Sequence, residues 1–263
     1  MTTEQLQHVM EQLVPIISRA GEIVNSYLKK DKQIENKGTI DLITAADKES
    51  EEFLFGRLRE VFPGDSILAE EGNTHEGSSG YTWVIDPVDG TTSFAHGFPA
   101  FAVSVGLIDS DKQPVLGAVL TPFFNELFTA YRGGGAWLNG ERIHVSKAAS
   151  LSVSLLGTGF PYNRRSIMDR LLKRLGAFLH NCHDIRRTGS AALDICYVAA
   201  GRLDGYYEEG LKPWDTAAAL VILEEAGGLS SKFDGSKVDI FVPEIVVANP
   251  NIFQEILDLL SKV

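Results

Sequence analysis

The chain has 263 residues, of which 44% are hydrophobic and 22% charged, and its formal net charge is −11. That is enough apolar material for one large domain or two packed subdomains, and the ordinary composition excludes wholesale disorder. The acidic balance argues against a nucleic-acid or anionic-membrane surface, and no apolar run approaches the length of a membrane span.

In chain order, Leu6, Val9, Met10, Leu13, Ile16, Ile17, Ala20, Ile23, Val24 and Tyr27 recur at helical spacing. Pro15 falls inside this helix and predicts a kink or a late start. A second helix is predicted from Ala45 to Val61 and is stopped by Pro63-Gly64. The period then shortens. Tyr81 to Ile85, Phe101 to Ile108, Val115 to Leu120 and Leu127 to Tyr131 read as strands. Asn139-Gly140 marks a hairpin turn. Beyond Ser146 strands and helices alternate. Strands are predicted near Val153–Gly157, Asp184–Arg187, Tyr206–Glu208 and Ile245–Ala248, and helices near Ser166–Leu179, Ala191–Ala200, Pro213–Ala226 and Asn251–Leu260. The expected organisation is a single domain with a strand-rich part over about 1–145 and an alternating part over about 146–263. Cys182 and Cys196 belong to no paired motif, so a disulfide is not expected. The segment from Met1 to Gln12 has no basic stretch followed by an apolar one, and the expected setting is a reducing cytoplasm.

The sharpest segment is Trp83-Val84-Ile85-Asp86-Pro87-Val88-Asp89-Gly90-Thr91-Thr92. An apolar strand delivers two aspartates, three residues apart, onto a Pro/Gly turn. Carboxylate oxygens are hard ligands suited to Mg²⁺. Pro87 stiffens the turn, Gly90 allows close backbone approach, and Thr91 or Thr92 begins a helix whose first amides suit a phosphate. Asp, Pro and Gly also make ordinary turns, which is the competing reading. Glu70-Glu71 follows a short apolar run and offers a third ligand or a solvated loop. Asp215 opens the helix after Pro213-Trp214, as a ligand or as a first-turn acid favoured by the helix dipole.

Together these residues resemble the inositol monophosphatase family. The resemblance covers nearly the whole chain. It runs through Lys37, Asp41 to Asp47, Glu70-Glu71, Asp86 to Thr92 and Gly189-Ser190-Ala191-Ala192. It continues through Asp204 to Glu208 and Trp214-Asp215, and ends at Glu225 to Gly228. It implies a mixed α/β fold, a layered αβαβα sandwich of the inositol monophosphatase and fructose 1,6-bisphosphatase type. It also implies a magnesium-dependent, lithium-sensitive phosphatase acting on a small phosphorylated polyol, foremost myo-inositol 1-phosphate. Sister substrates are fructose 1,6-bisphosphate, histidinol phosphate, NADP and phosphoadenosine phosphate.

Carried over residue by residue, Glu70, Asp86, Asp89, Asp215 and the Val88 carbonyl hold two or three Mg²⁺ ions, with Asp47, Thr91 and Glu70 in catalytic roles. Gly90 and Thr91 receive the phosphate, and Ala191 and Glu208 the polyol. The resemblance further implies a homodimer. Some bacterial relatives act in transcription complexes, so a partner-binding protein that retains the fold is the alternative of a different class. Arg186-Arg187, Arg164-Arg165 and Lys212 read either as contacts to a second anionic group or as partners of surface acids, and the latter is the commoner fate.

Overall fold

The computed structural model describes residues 1–28, 30, 33–36 and 42–263. Lys37 and Asp41 of the sequence pattern lie outside the described residues. The first part of the chain forms α1 (Thr3–Ser26), β1 (Glu35–Asn36), β2 (Leu42–Ile43), α2 (Ala45–Val61), β3 (Ser66–Ala69), β4 (Thr74–His75), β5 (Thr82–Asp89) and α3 (Thr91–Ala95). β6 (Ala102–Ile108), β7 (Pro114–Thr121), β8 (Glu126–Tyr131), β9 (Gly135–Leu138) and β10 (Glu141–Arg142) follow. The remainder forms β11 (Leu155–Thr158), α4 (Met168–Asn181), β12 (Asp184–Arg186), α5 (Ala191–Ala199), β13 (Gly205–Glu209), α6 (Pro213–Glu225), β14 (Leu229–Ser231), β15 (Glu244–Ala248) and α7 (Phe253–Leu260).

Two sheets are stacked between three helical layers. The eight-stranded sheet has the order β10-β9-β8-β7-β6-β5-β3-β4, and the five-stranded sheet β12-β11-β13-β15-β14. α1 and α2 cover one face of the large sheet, and α5 and α6 fill the space between the sheets. α4 and α7 close the outer face of the small sheet. This is the layered αβαβα sandwich that the resemblance implies. Three apolar cores fill the spaces between the layers. One core joins α1 and α2 to Trp83, Phe94 and Phe101, the middle one joins α5 and α6 to both sheets, and the outer one gathers around Phe178 and Tyr207. Among the described residues no helix is long and apolar enough to cross a membrane.

Several predicted elements shift for identifiable reasons. α1 starts at Thr3, not late, because Thr2 and Gln5 form a capping box, and the helix runs through Pro15. β5 continues past Ile85 to Asp89, with a register shift against β6 between Asp86 and Asp89. Pro87 sits inside that irregularity, where its missing N–H costs no ladder bond. The acidic pair therefore rides on an irregular strand end, and the turn begins only at Gly90. In the second half a single 3₁₀ turn takes Leu151–Val153, leaving Val153 exposed, and the strand begins at Leu155.

The placement of α6 rests on missing side chains. A Cβ on Gly117 of β7 would meet the Ala218 carbonyl oxygen at 2.1 Å, and one on Gly106 of β6 would meet the Ala218 nitrogen at 2.8 Å. Glycines on the sheet and buried alanines on the helix thus let the two backbones touch. The Ser104 hydroxyl donates to the Trp214 carbonyl at 3.3 Å, and Ser104 is the register partner of Asp86. The start of α6 is thereby held beside the acidic end of β5. Gly117→Ala should force the helix off the sheet and cost about 1–3 kcal/mol, seen as a lower thermal midpoint. An unchanged midpoint would contradict this packing account.

Candidate active site

The end of β5 gathers the acids. Asp86, Asp89 and Asp215 each bring a carboxylate oxygen within 4.8 Å of the others. Asp86 is buried, and its Oδ1 accepts the Val88 N–H at 3.0 Å. Asp89 is buried, and its Oδ2 accepts from the Ser190 hydroxyl and the Ala192 N–H, both at 2.7 Å. Through these bonds the start of α5 fixes the orientation of the carboxylate. Asp215 Oδ2 accepts the Lys212 N–H at 2.7 Å, a helix-start bond that sets its rotamer.

Glu70 follows β3, and its backbone N–H donates to the Ile85 carbonyl at 3.1 Å. The loop beyond it is tied down by buried Glu51. That carboxylate accepts the Glu71 N–H at 2.7 Å, the Asn73 N–H at 3.1 Å and the Asn73 side-chain amide at 3.0 Å. The Glu70 carboxyl is close enough to Asp86 to act on it by both charge and hydrogen bonding.

Electrostatics follow from this crowding. Burial, and then the charges of Glu70, Asp89 and Asp215, push the Asp86 carboxyl well above the ordinary carboxylate range. Burial and the charges of Asp89 and Glu70 do the same to Asp215. Asp89 is pushed up to about 6 by burial, although Ser190, Ala192 and Arg187 pull the other way. The donors are all hard oxygens, and among the described residues no lysine or arginine forms an ion pair with the three aspartates. This donor set suits a hard divalent cation, which would remove the repulsion.

Beside the cluster lies a hydroxyl–carboxylate pair. Thr91 Oγ1 is 3.1 Å from Asp47 Oδ1 and 3.1 Å from the Val88 carbonyl oxygen. Its one proton serves one acceptor at a time. Asp47 is wholly buried in the capping box of α2, where its Oδ2 accepts the Thr44 N–H at 2.9 Å and also the Thr44 hydroxyl. Burial raises the Asp47 carboxyl, and the Thr44 and Thr91 bonds offset part of that rise. Gly90 holds φ at +93°, a left-handed conformation in which a Cβ would meet the Ala100 carbonyl oxygen at 2.8 Å. The five-residue α3 that follows has no side-chain cap at its start.

These groups open into a cavity of about 320 Å³, lined by Asp89, Gly90, Thr91, Ala191, Asp194, Glu208 and Asp215 among others. Glu208, on β13, accepts from the Tyr206 hydroxyl. Burial pushes it up to about 7, against the pull of Tyr206. Sequence reading singled out Asp47, Glu70, Asp86, Val88, Asp89, Gly90, Thr91, Ala191, Glu208 and Asp215, and the fold brings them to this one region. It did not single out Asp194 of α5, which is 1% exposed with Oδ1 unpartnered. Burial holds Asp194 well above the ordinary range. The available signal was a lone acid in the apolar run Ala191-Ala192-Leu193-Asp194-Ile195-Cys196.

A carboxyl that binds its proton more tightly when folded makes the protein less stable as pH rises from the unfolded value of about 4. The cation-free protein should therefore lose thermal stability from about pH 4 upward, and Asp86→Asn should lose less. At neutral pH in EDTA the variant should melt a few degrees higher than the parent, whereas added Mg²⁺ should raise the parent more than the variant. A variant that melts lower in EDTA and gains equally from Mg²⁺ would contradict the cluster's role.

The chain is similar to known proteins along nearly its whole length. A family model described as the inositol monophosphatase family matches residues 5–263. The inositol-1-monophosphatase of Synechocystis sp. is 42% identical over 258 residues, covering 97% of this chain and 90% of that one. A protein named Nus factor SuhB from Pasteurella multocida is 42% identical over 243 residues, covering 91% of each. The solved structure of an inositol monophosphatase from Anabaena (Nostoc) sp. superposes with a TM-score of 0.89 at 38% identity, covering 98% of this chain and 97% of that one.

Proposed function

Because the chain belongs to the inositol monophosphatase family, we propose that it hydrolyses a small phosphorylated polyol, foremost myo-inositol 1-phosphate, with Mg²⁺ as cofactor. It is a phosphoric monoester hydrolase by that membership. The observation that carries the finer reading is the three-aspartate cluster beside Thr91–Asp47, at one end of a cavity whose wall holds Glu208.

Glu70, Asp86, Asp89, Asp215 and the Val88 carbonyl would hold the ions. When bound, divalent ions there neutralise phosphoryl charge and make a water more acidic. The chain's own groups do the rest. The Gly90 and Thr91 amides bind phosphate oxygens and aim the phosphorus toward Thr91. The attacking water gives its proton to Thr91 Oγ1, which passes its own to Asp47 Oδ1. The P–O ester bond breaks on the opposite side, and the leaving oxygen takes a proton from solvent. Asp47 is suited to this role because burial raises its affinity for a proton. Glu208 accepts hydroxyl protons of the polyol, and Ala191 leaves room for the ring. The same reading takes the chain as one domain, with subdomains of about 1–145 and 146–263 that share the middle core, and as a homodimer. A second role, in a transcription complex, draws support from the relative named as a Nus factor.

The deciding experiment is phosphate release from inositol 1-phosphate, fructose 1,6-bisphosphate, histidinol phosphate, NADP and phosphoadenosine phosphate, with Mg²⁺ or EDTA. Turnover should require Mg²⁺ and favour inositol phosphate, and Asp89→Asn should lose roughly 100-fold or more. Magnesium-independent or absent turnover would sink the proposal in favour of the partner-binding role. Glu208 also sets a pH dependence. It accepts two hydroxyl protons only when ionised, so the KM for inositol phosphate should fall as pH rises through about 7. Glu208→Ala should raise that KM about 10-fold and leave a simple aryl phosphate much less affected. Equal losses on both would remove Glu208 from recognition.

A further inference from the structure

Asp194 lines the cavity but takes no part in the chemistry of the acidic cluster. It lies on α5, three residues after Ala191 and so on the same face of that helix, and Ala191 lines the cavity too. Asp194 is 1% exposed, and its Oδ1 is the one carboxylate oxygen, among the described residues, that is buried without a hydrogen-bond partner. The other buried acids, Asp47, Glu51, Asp65, Asp86 and Asp89, each accept at least one hydrogen bond. A buried acceptor left unpaired costs stability and gives nothing to the fold. At a cavity wall, a ligand that supplies the missing partner accounts for such a group.

Two glycines show where the carboxyl sits. A Cβ on Gly157 would stand 3.6 Å from the Asp194 carboxyl carbon, and a Cβ on Gly159 would come within 2.0 Å of Glu208 Oε2. Positions 157 and 159, two apart at the end of β11, face the same way with a step of about 7 Å between them. The carboxyls of Asp194 and Glu208 therefore lie side by side over that strand end, and the charge of Glu208 acts on Asp194. Their spacing fits two separate hydroxyls of one small ring.

The chemistry of the carboxyl suits a hydroxyl. Burial favours its protonated form against the pull of Thr188, and the charges of Glu208 and Asp89 add to the rise. A protonated carboxyl donates one hydrogen bond and accepts others, as an alcohol hydroxyl does.

We propose that Asp194 is a second specificity-determining acid of the polyol pocket. It binds a different hydroxyl of the leaving group from the one held by Glu208, so that phosphates of polyols are chosen over those of simple alcohols and phenols. This rests on the phosphatase reading above and deepens it.

The test measures KM and kcat for inositol 1-phosphate and phenyl phosphate in the wild type, Asp194→Ala, Asp194→Leu and Asp194→Asn. Asp194→Ala should raise the ratio of the KM for inositol phosphate to that for phenyl phosphate about 10-fold, with the ratio of kcat values little changed. Asp194→Leu keeps the volume that alanine would leave empty, and it should give the same shift if the alanine variant does not fold. Asp194→Asn should keep most of the wild-type ratio, because its amide also donates and accepts. A KM ratio unchanged in the alanine and leucine variants, whether both KM values rise together or neither rises, would overturn the assignment and leave Asp194 a structural acid. If the wild type turns over neither substrate, the phosphatase reading fails separately. Calorimetric binding of myo-inositol in Mg²⁺ then decides the role of Asp194. Weaker binding by Asp194→Leu than by the wild type supports it, and equal affinities, or no binding by the wild type, overturn it.

Discussion

The structure depends on one electrostatic constraint, the crowding of buried Asp86 and Asp89 and half-buried Asp215 within 4.8 Å of one another. Two like charges about 4 Å apart repel by about 4 kcal/mol at an effective dielectric of 20. That is comparable with much of the stability of a whole domain. The cluster persists only with protons or cations present, and only on a scaffold stiff enough not to let the carboxyls turn away. Burial raises the proton affinity of all three acids before any ion arrives, and for Asp86 and Asp215 the charges of neighbouring carboxylates add to it.

The scaffold meets that demand with parts drawn from both halves of the chain. β5 supplies Asp86 and Asp89 on its irregular end, and α5 holds Asp89 through Ser190 and Ala192. α6 supplies Asp215, and it reaches the cluster because Gly106 and Gly117 let it lie directly on the large sheet. α2 contributes on both sides, with Asp47 behind Thr91 and Glu51 beneath the loop after Glu70. The cavity then joins a carboxylate-rich part, at Asp89 and Asp215, to a wall that holds Glu208, Arg164 and Arg187.

Much of this was legible in the residues, and the exceptions have physical causes. The helical period of α1 and α2 and the alternation of the second half follow directly from burial patterns. The continuation of β5 through Pro87 was not legible, because a proline between two aspartates reads as a turn until a neighbouring strand shows where its missing donor falls. β14 was missed because Leu229-Ser230-Ser231 is short and polar and gains its identity only by pairing with β15. Among the site residues the metal-type acids stood out through spacing beside Pro and Gly. Asp194 did not, since its helix reads as core, and Arg187 was placed with surface ion pairs, which is the usual fate of an arginine beside acids. Arg187 lines the cavity, whereas Arg186 pairs with Asp184 at 2.5 Å.

The most direct test of the cluster as a cation site is calorimetric titration of Mg²⁺ into the protein near pH 6.5 in buffers of different ionisation enthalpy. Carboxyls that hold protons when the site is cation-free must release them as the ion binds. The account predicts saturable binding whose apparent enthalpy changes with the buffer in the sense of proton release. Absence of binding at millimolar Mg²⁺, or binding with no dependence on the buffer, would contradict it.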